Sequence, residues 1–275
     1  MIRTLKLEVH GMAYRDKIYR LGYRKDCIDY IEHEISYAGV YGRKGEKRLP
    51  RKKKTPFEMQ IQNVWNKMKR IRRTLRANFS EYDLWVTLTL DEEHRGKYLF
   101  TDVKQYFQKT FLGNLRKEYR KLGEQCRYMY LIEMGEKGGI HIHMVLNRSR
   151  GKPPDLILAK KWKWGHVYIS PMYQEGGFEK LANYLANMPE EKQKKREKTT
   201  NRNTQMECFG SSRNLERPQP ERKVYKRRTV RKLLLDGPTP ELGYYIDKES
   251  IKTGINKFTG YAYFYYTEVR LKQRE

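Results

Sequence analysis

His141 and His143 stand either side of one apolar residue in the run Gly139-Ile140-His141-Ile142-His143-Met144-Val145-Leu146. In an extended strand, residues i and i+2 share a face. Both imidazoles then project to one side, while Ile140, Ile142 and Met144 turn toward a core. The residues before this run close the pattern. Tyr128 to Met134 reads as a second strand, and Gly135-Glu136-Lys137-Gly138 reads as the turn of a hairpin. Cross-strand neighbours lie about 5 Å apart, so Glu133 can share the face of the two histidines. Two imidazoles and a carboxylate form a donor set for a divalent ion, with coordination positions left open. The plain alternative is a solvated strand face. Glu136 competes for the third place but sits in the turn, where a solvated carboxylate is the simpler reading.

The elements around the hairpin suggest an α+β chain. Ile61, Val64, Trp65, Met68, Ile71 and Leu75 recur at steps of three and four, which predicts an amphipathic helix. Its other face carries Lys67, Lys69, Arg70, Arg72, Arg73 and Arg76, with no acidic residue among them. Leu84-Trp85-Val86-Thr87-Leu88-Thr89-Leu90 alternates as a strand. Thr101-Asp102 opens a further helix with Val103, Phe107, Phe111, Leu115 and Leu122 as its apolar stripe. Trp164 to Ile169 reads as a fourth strand. A helix from Phe178 to Met188 follows Gly176-Gly177 and stops at Pro189. Tyr244 to Asp247 and Tyr261 to Val269 read as closing strands. Strand, helix and antiparallel hairpin together predict a central antiparallel sheet of about five strands backed by helices.

The charge speaks to partners. Lys plus Arg is 59 against 33 Asp plus Glu, a net charge of +26. Such a balance favours a polyanion. No apolar run approaches the roughly 20 residues that span a bilayer, so nucleic acid is expected and a membrane is not. The 22 tyrosines interleaved with cations suit base stacking as well as strand packing. Three dispersed cysteines form no CxxC pair, which fits a reducing cytoplasm. The first residues lack the apolar core of a signal peptide. We divide the chain into a basic, Tyr-rich extension over 1–80 ending in the amphipathic helix, a core over 81–190, and a basic linker with C-terminal strands over 191–275 packed on that core.

The helix after residue 178 contains a single tyrosine, Tyr184, at the edge of a stripe formed by Phe178, Leu181, Leu185 and Met188. A phenol titrates near 10 and is a poor nucleophile at neutral pH unless a neighbour helps it ionise. Taken alone, a tyrosine packed against the sheet is the simpler reading. Taken in order, Trp85-Val86-Thr87-Leu88-Thr89-Leu90, then Glu133 with His141-Ile142-His143, then Tyr184, the motifs resemble those of HUH endonucleases. Within that superfamily the chain is similar to rolling-circle replication initiators of small phages and plasmids. The resemblance covers about residues 82–190, with a looser likeness in Ser211-Ser212-Arg213-Asn214-Leu215.

The resemblance implies a ferredoxin-like, RRM-like antiparallel sheet with basic extensions. It implies that His141, His143 and Glu133 hold Mg²⁺ or Mn²⁺. Tyr184 would attack a phosphate of single-stranded DNA at an origin hairpin, leaving a 5′-phosphotyrosine and a free 3′-OH. Lys67, Arg70, Arg73 and Arg213 are the expected DNA contacts. Where the family often has a lysine three residues after the tyrosine, this chain has Asn187, and Lys180, one turn earlier, is the expected substitute. No GxxxxGK[ST] loop occurs, so host helicase and polymerase are expected partners. Alternatives are a single-tyrosine transposase or mobilisation relaxase with the same chemistry, or a non-catalytic nucleic-acid-binding protein.

Overall fold

The computed structural model describes residues 13–24, 26–38, 56–135, 139–172, 178–186, 207–256 and 261–271. The chain divides into two compact units, Met1–Met59 with Pro218–Glu275, and Gln60–Arg217. Each unit is built on its own five-stranded antiparallel sheet. The α+β class expected from the sequence holds, with two sheets where one was expected. Among the described residues, no helix is long and apolar enough to cross a membrane.

The first unit contains β1 (Ala13–Leu21), β2 (Tyr30–Tyr37), β8 (Glu221–Lys226), β9 (Tyr244–Ile255) and β10 (Ala262–Arg270), ordered β8-β1-β2-β10-β9. The two closing strands read from the sequence are β9 and β10, and they pair with each other, β10 also pairing with β2. Helix α6 (Arg227–Asp236) lays Val230 on the sheet beside Tyr14, Ile35, Phe264 and Tyr266. A polar cluster lies within the same unit. His33 Nδ1 is 2.7 Å from Asp16 Oδ2, and its Nε2 is 3.3 Å from Glu268 Oε1. All three residues are buried, and the His33 ring stacks on Tyr266 with centroids 4.4 Å apart.

The second unit places β3 (Leu84–Thr89), β4 (Tyr128–Met134), β5 (Ile140–Leu146), β6 (Val167–Pro171) and β7 (Glu207–Ser211) in the order β6-β3-β5-β4-β7. The period-2 pattern decides which side chains face which layer. One face presents Leu84, Val86, Leu88, Tyr130, Ile132, Ile140, Ile142, Met144 and Leu146 to a core. That core is closed by α2 (Phe100–Gln105), a π-helical stretch (Tyr106–Phe111), α3 (Leu112–Lys121) and α4 (Pro154–Lys161). The stripe Val103, Phe107, Phe111 and Leu115 is fully buried, as its spacing predicts, and each such side chain contributes about 1.5–3 kcal/mol. The Asp102 carboxylate caps the helix by accepting from the Leu99 backbone N–H at 3.0 Å.

The opposite face of the same sheet is only partly covered. There Trp85, Met129, Leu131, Val145 and Phe209 pack with α1 (Pro56–Asn78) and α5 (Glu179–Ala186). Met68, Ile71 and Leu75 supply the α1 contact, and Ala182, Leu185 and Ala186 the α5 contact. The remainder of this face carries the histidines. A glycine fixes its β3 end. Gly165 has φ +151°, and a Cβ there would sit on the Thr89 carbonyl oxygen and 2.5 Å from the Asp91 nitrogen. The loop therefore runs backbone to backbone against β3, with reciprocal bonds between Thr89 and His166 at 3.0 and 3.1 Å.

Candidate functional site

The register of three strands assembles the site. Glu133 lies directly opposite His141 on β4 and β5, and Leu131 lies opposite His143. On the other side of β5, Thr89 faces His141 and Thr87 faces His143. All of these project from the face that α1 and α5 only partly cover. The two imidazole rings stack at 6.3 Å. Thr87 Oγ1 is 3.1 Å from His143 Nδ1, which fixes the ring and leaves Nε2 directed at Glu133 Oε1, 3.5 Å away.

Tyr184 meets the same carboxylate. Its hydroxyl donates to Glu133 Oε1 at 2.6 Å. The phenol ring stands edge-on to His143 at 5.0 Å and edge-on to Trp85 at 5.7 Å, while Trp85 stacks on His143 at 5.6 Å. Helix α5 delivers this tyrosine because Ala182 and Leu185 bury beside it, leaving Tyr184 itself 38% exposed. The turn before the helix has Phe178 at φ +64°, a conformation rare for a bulky residue, with its side chain fully buried.

Electrostatics follow from this packing. Burial raises the Tyr184 phenol well above its ordinary value, and the hydrogen bond to the Glu133 carboxylate and that carboxylate's charge push the same way. His141 is lowered, first by burial and then by the neighbouring His143, with Glu133 opposing and Arg95 adding a smaller push. His141 is thus biased toward the neutral imidazole that ligates metals. Its Nε2 lies against the hairpin backbone, where a Cβ built on Gly135 or Gly139 would come within 3.3 or 3.4 Å of it. Glycine on both sides of the turn leaves that room.

The donors fit a divalent ion in kind: two imidazoles and a carboxylate on adjacent strands, with His143 Nε2 and Glu133 Oε1 already converging. As placed, no group of three or more His, Cys, Asp and Glu side chains among the described residues is close enough to hold a metal. The third donor, His141, is in register with Glu133 but its Nε2 is turned to the hairpin.

Other residues singled out from the sequence lie at different distances from this centre. Lys180 is exposed on α5, one turn before Tyr184. Arg70 is exposed on α1, but Lys67 is half-buried with its Nζ 5.1 Å above the Phe209 ring, and burial lowers its pKa. Arg73 and Arg76 are each 6% exposed, so α1 does not display its cations as one open face. Arg213 is exposed in the turn after β7, beside Ser212, whose hydroxyl accepts from the Tyr128 backbone N–H at 3.1 Å. Asn187, Glu136 and the glycines at 176 and 177 lie outside the described residues.

Three residues join the site that the sequence reading did not single out for it. Thr87 orients His143. Glu207 on β7 pairs directly with Glu133 and adds a second carboxylate to that row. Arg95 reaches His141 from the loop after β3. Thr87 was discoverable as a polar residue in phase with the site face of its strand; Glu207 sits in a strand whose neighbours give no clear alternation.

The model of the replication-associated protein ORF2 family matches residues 83–189. That stretch contains Thr87, Glu133, His141, His143 and Tyr184. No curated protein matches the chain, and no solved structure does. The family match supports a replication-initiator-like chain with a role in DNA replication.

Proposed function

We propose that this protein starts rolling-circle replication by nicking and rejoining single-stranded DNA at an origin hairpin, with Tyr184 as the nucleophile. The observation that carries this reading is the 2.6 Å bond from the Tyr184 hydroxyl to Glu133 Oε1, beside His143. A tyrosine serving only the core has no need of a carboxylate and an imidazole at its hydroxyl on an open sheet face.

The chemistry runs as a transesterification. The Tyr184 oxygen attacks the scissile phosphorus, and its proton passes to Glu133, the acceptor already bonded to it. The bond from phosphorus to the 3′ oxygen breaks, and that oxygen leaves as a 3′-OH once it takes up a proton. The strand's 5′ end remains as a phosphotyrosine ester. The 3′-OH primes synthesis by host polymerase behind a host helicase. In rejoining, a 3′-OH attacks the phosphotyrosine, and Glu133 returns a proton to the departing phenolate. Trp85 and His143 hold the phenol ring edge-on so that its oxygen stays at the carboxylate.

His141, His143 and Glu133 are the residues that would hold Mg²⁺ or Mn²⁺. Such an ion would supply positive charge that offsets Glu133, favours the phenolate and stabilises charge on the phosphate oxygens. Lys180 adds a cation one turn from the nucleophile, and Arg70 and Arg213 are exposed cations suited to DNA phosphates. The chain's +26 charge supplies non-specific affinity that weakens with salt.

The test is incubation of the full chain with single-stranded origin oligonucleotides and Mn²⁺, followed by denaturing gels and peptide mapping of the trapped DNA. A covalent adduct on Tyr184 is expected, and Tyr184→Phe should abolish it. An adduct that survives in Tyr184→Phe would exclude this nucleophile. Binding without any adduct in the wild type would leave a non-catalytic DNA-binding protein.

A further inference from the structure

We infer that Tyr168 is a base-stacking platform for the nucleotide next to the scissile phosphate of single-stranded DNA. For its place on the strand this rests on Tyr184 being the reacting group. Paired registers carry one row of side chains across the site face: Phe209, Leu131, His143, Thr87 and Tyr168. The two ends of that row differ. Phe209 packs into the cluster with α1 and α5. Tyr168, on the edge strand β6, is 59% exposed. Two inter-strand spacings, roughly 10 Å, separate it from His143.

A large ring left uncovered at the open end of the site row needs an occupant. A nucleic acid base is the one that fits, because every base offers a π-face and its backbone would already be engaged at Tyr184 and Glu133. The surroundings agree. His166 is exposed and its ring lies 6.4 Å from that of Tyr168. Exposed Lys163 precedes the same strand, and exposed Arg95 reaches the site at His141. Glu92 and Glu93 are exposed on the turn that carries Arg95, so charge alone does not mark this edge; the uncovered ring in register with His143 does.

The experiment measures binding rather than turnover. Oligonucleotides carrying 2-aminopurine at successive positions about the nick are titrated with full-length protein in the Tyr184→Phe background, where no adduct forms. One position beside the scissile phosphate should be strongly quenched. Tyr168→Ala should remove that quenching and weaken binding about 5- to 150-fold, the usual worth of one stacked base. Tyr168→Phe keeps the ring and should bind as the parent does. Unchanged affinity and quenching in Tyr168→Ala, or an equal loss in Tyr168→Phe, would overturn the platform. Adduct formation in the protein with native Tyr184 is scored separately. An adduct with no effect of Tyr168→Ala sinks the platform alone. Stacking with no adduct sinks the nuclease reading and, with it, the assignment of the stacked base to the scissile position.

Discussion

Thr87→Val isolates the orientation of His143 from everything else in the site. Thr87 Oγ1 lies 3.1 Å from His143 Nδ1. Valine keeps the branch and the approximate size and removes only the hydroxyl. A neutral hydrogen bond of this kind contributes about 0.5–1.5 kcal/mol net, or roughly a 2- to 13-fold change in an equilibrium. Partners that fix a metal-ligating histidine cost about 10- to 100-fold in affinity when removed. The two ranges meet near tenfold, so we expect Mn²⁺ affinity to fall about tenfold. Stability should move little. Thr87 is only half-buried, and valine suits a strand at least as well as threonine, so the change in folding free energy should stay within about 0.5 kcal/mol.

The assay pairs isothermal titration of Mn²⁺ with a urea melt on the same two proteins, and the nicking rate is followed in parallel. A fall in affinity at constant stability is the signature of an orienting bond. Unchanged Mn²⁺ affinity would refute the view that Thr87 sets the His143 ring for ligation. A loss far beyond about 100-fold would refute it from the other side, because a hydroxyl that only orients a ligand cannot supply that much.

Three further outcomes test the framework. Gly165→Ala forces a Cβ onto the Thr89 carbonyl in a backbone conformation rare for other residues, so it should cost at least about 1–3 kcal/mol; an unchanged thermal midpoint would contradict that close approach. His33→Leu leaves Asp16 and Glu268 as buried carboxylates without their imidazole and should cost about 3–5 kcal/mol in chemical denaturation, with a loss under about 1 kcal/mol counting against the cluster. Burial pushes the Cys126 thiol up to about 12. The native thiol then keeps its proton while the unfolded chain releases one, so stability is whole below the ordinary thiol pKa and declines by about 1.4 kcal/mol per pH unit from there toward the raised value. Cys126→Ala should flatten the fall in urea midpoint between about pH 8 and pH 10, and an equal slope in both proteins would reject the assignment.

The hairpin was legible because its two periodicities and its turn are local. Glycine at the bend, alternation on both strands and the spacing of Glu133 from His141 leave one register that keeps Ile132, Ile140 and Ile142 in the core. Pairings that close long loops were not legible. β1 pairs with β8 across about 200 residues of chain, and nothing in Ala13–Leu21 names its partner. β9 and β10 could be read as strands, but not as members of a second sheet. The α1 cations show a different limit. Charge suggests solvent, yet Arg73 and Arg76 are each 6% exposed because an arginine stem packs like an aliphatic chain. Lys67 likewise rests on Phe209, a residue of a strand that the sequence does not announce.

What separates Tyr184 from the other tyrosines is a combination of access and partner. Tyr119 also has a strongly raised phenol, but it is fully buried and its hydroxyl donates to the Asn147 carbonyl, where no substrate can reach it. Tyr266 is raised too, within the buried polar cluster of the first unit. Tyr128 and Tyr130 are buried and bonded to Arg116 and Gln108. Tyr184 alone among these is exposed while its hydroxyl meets a carboxylate that an imidazole also faces. As Glu133 holds it, the phenol keeps its proton and is inert. Neutral His141 and oriented His143 flank the same carboxylate, so positive charge brought there would lower the phenol pKa and expose the phosphate to attack in one event. The pair of histidines is therefore best understood as the means by which Tyr184 is kept silent or made reactive, which is a sharper role than simply binding a metal.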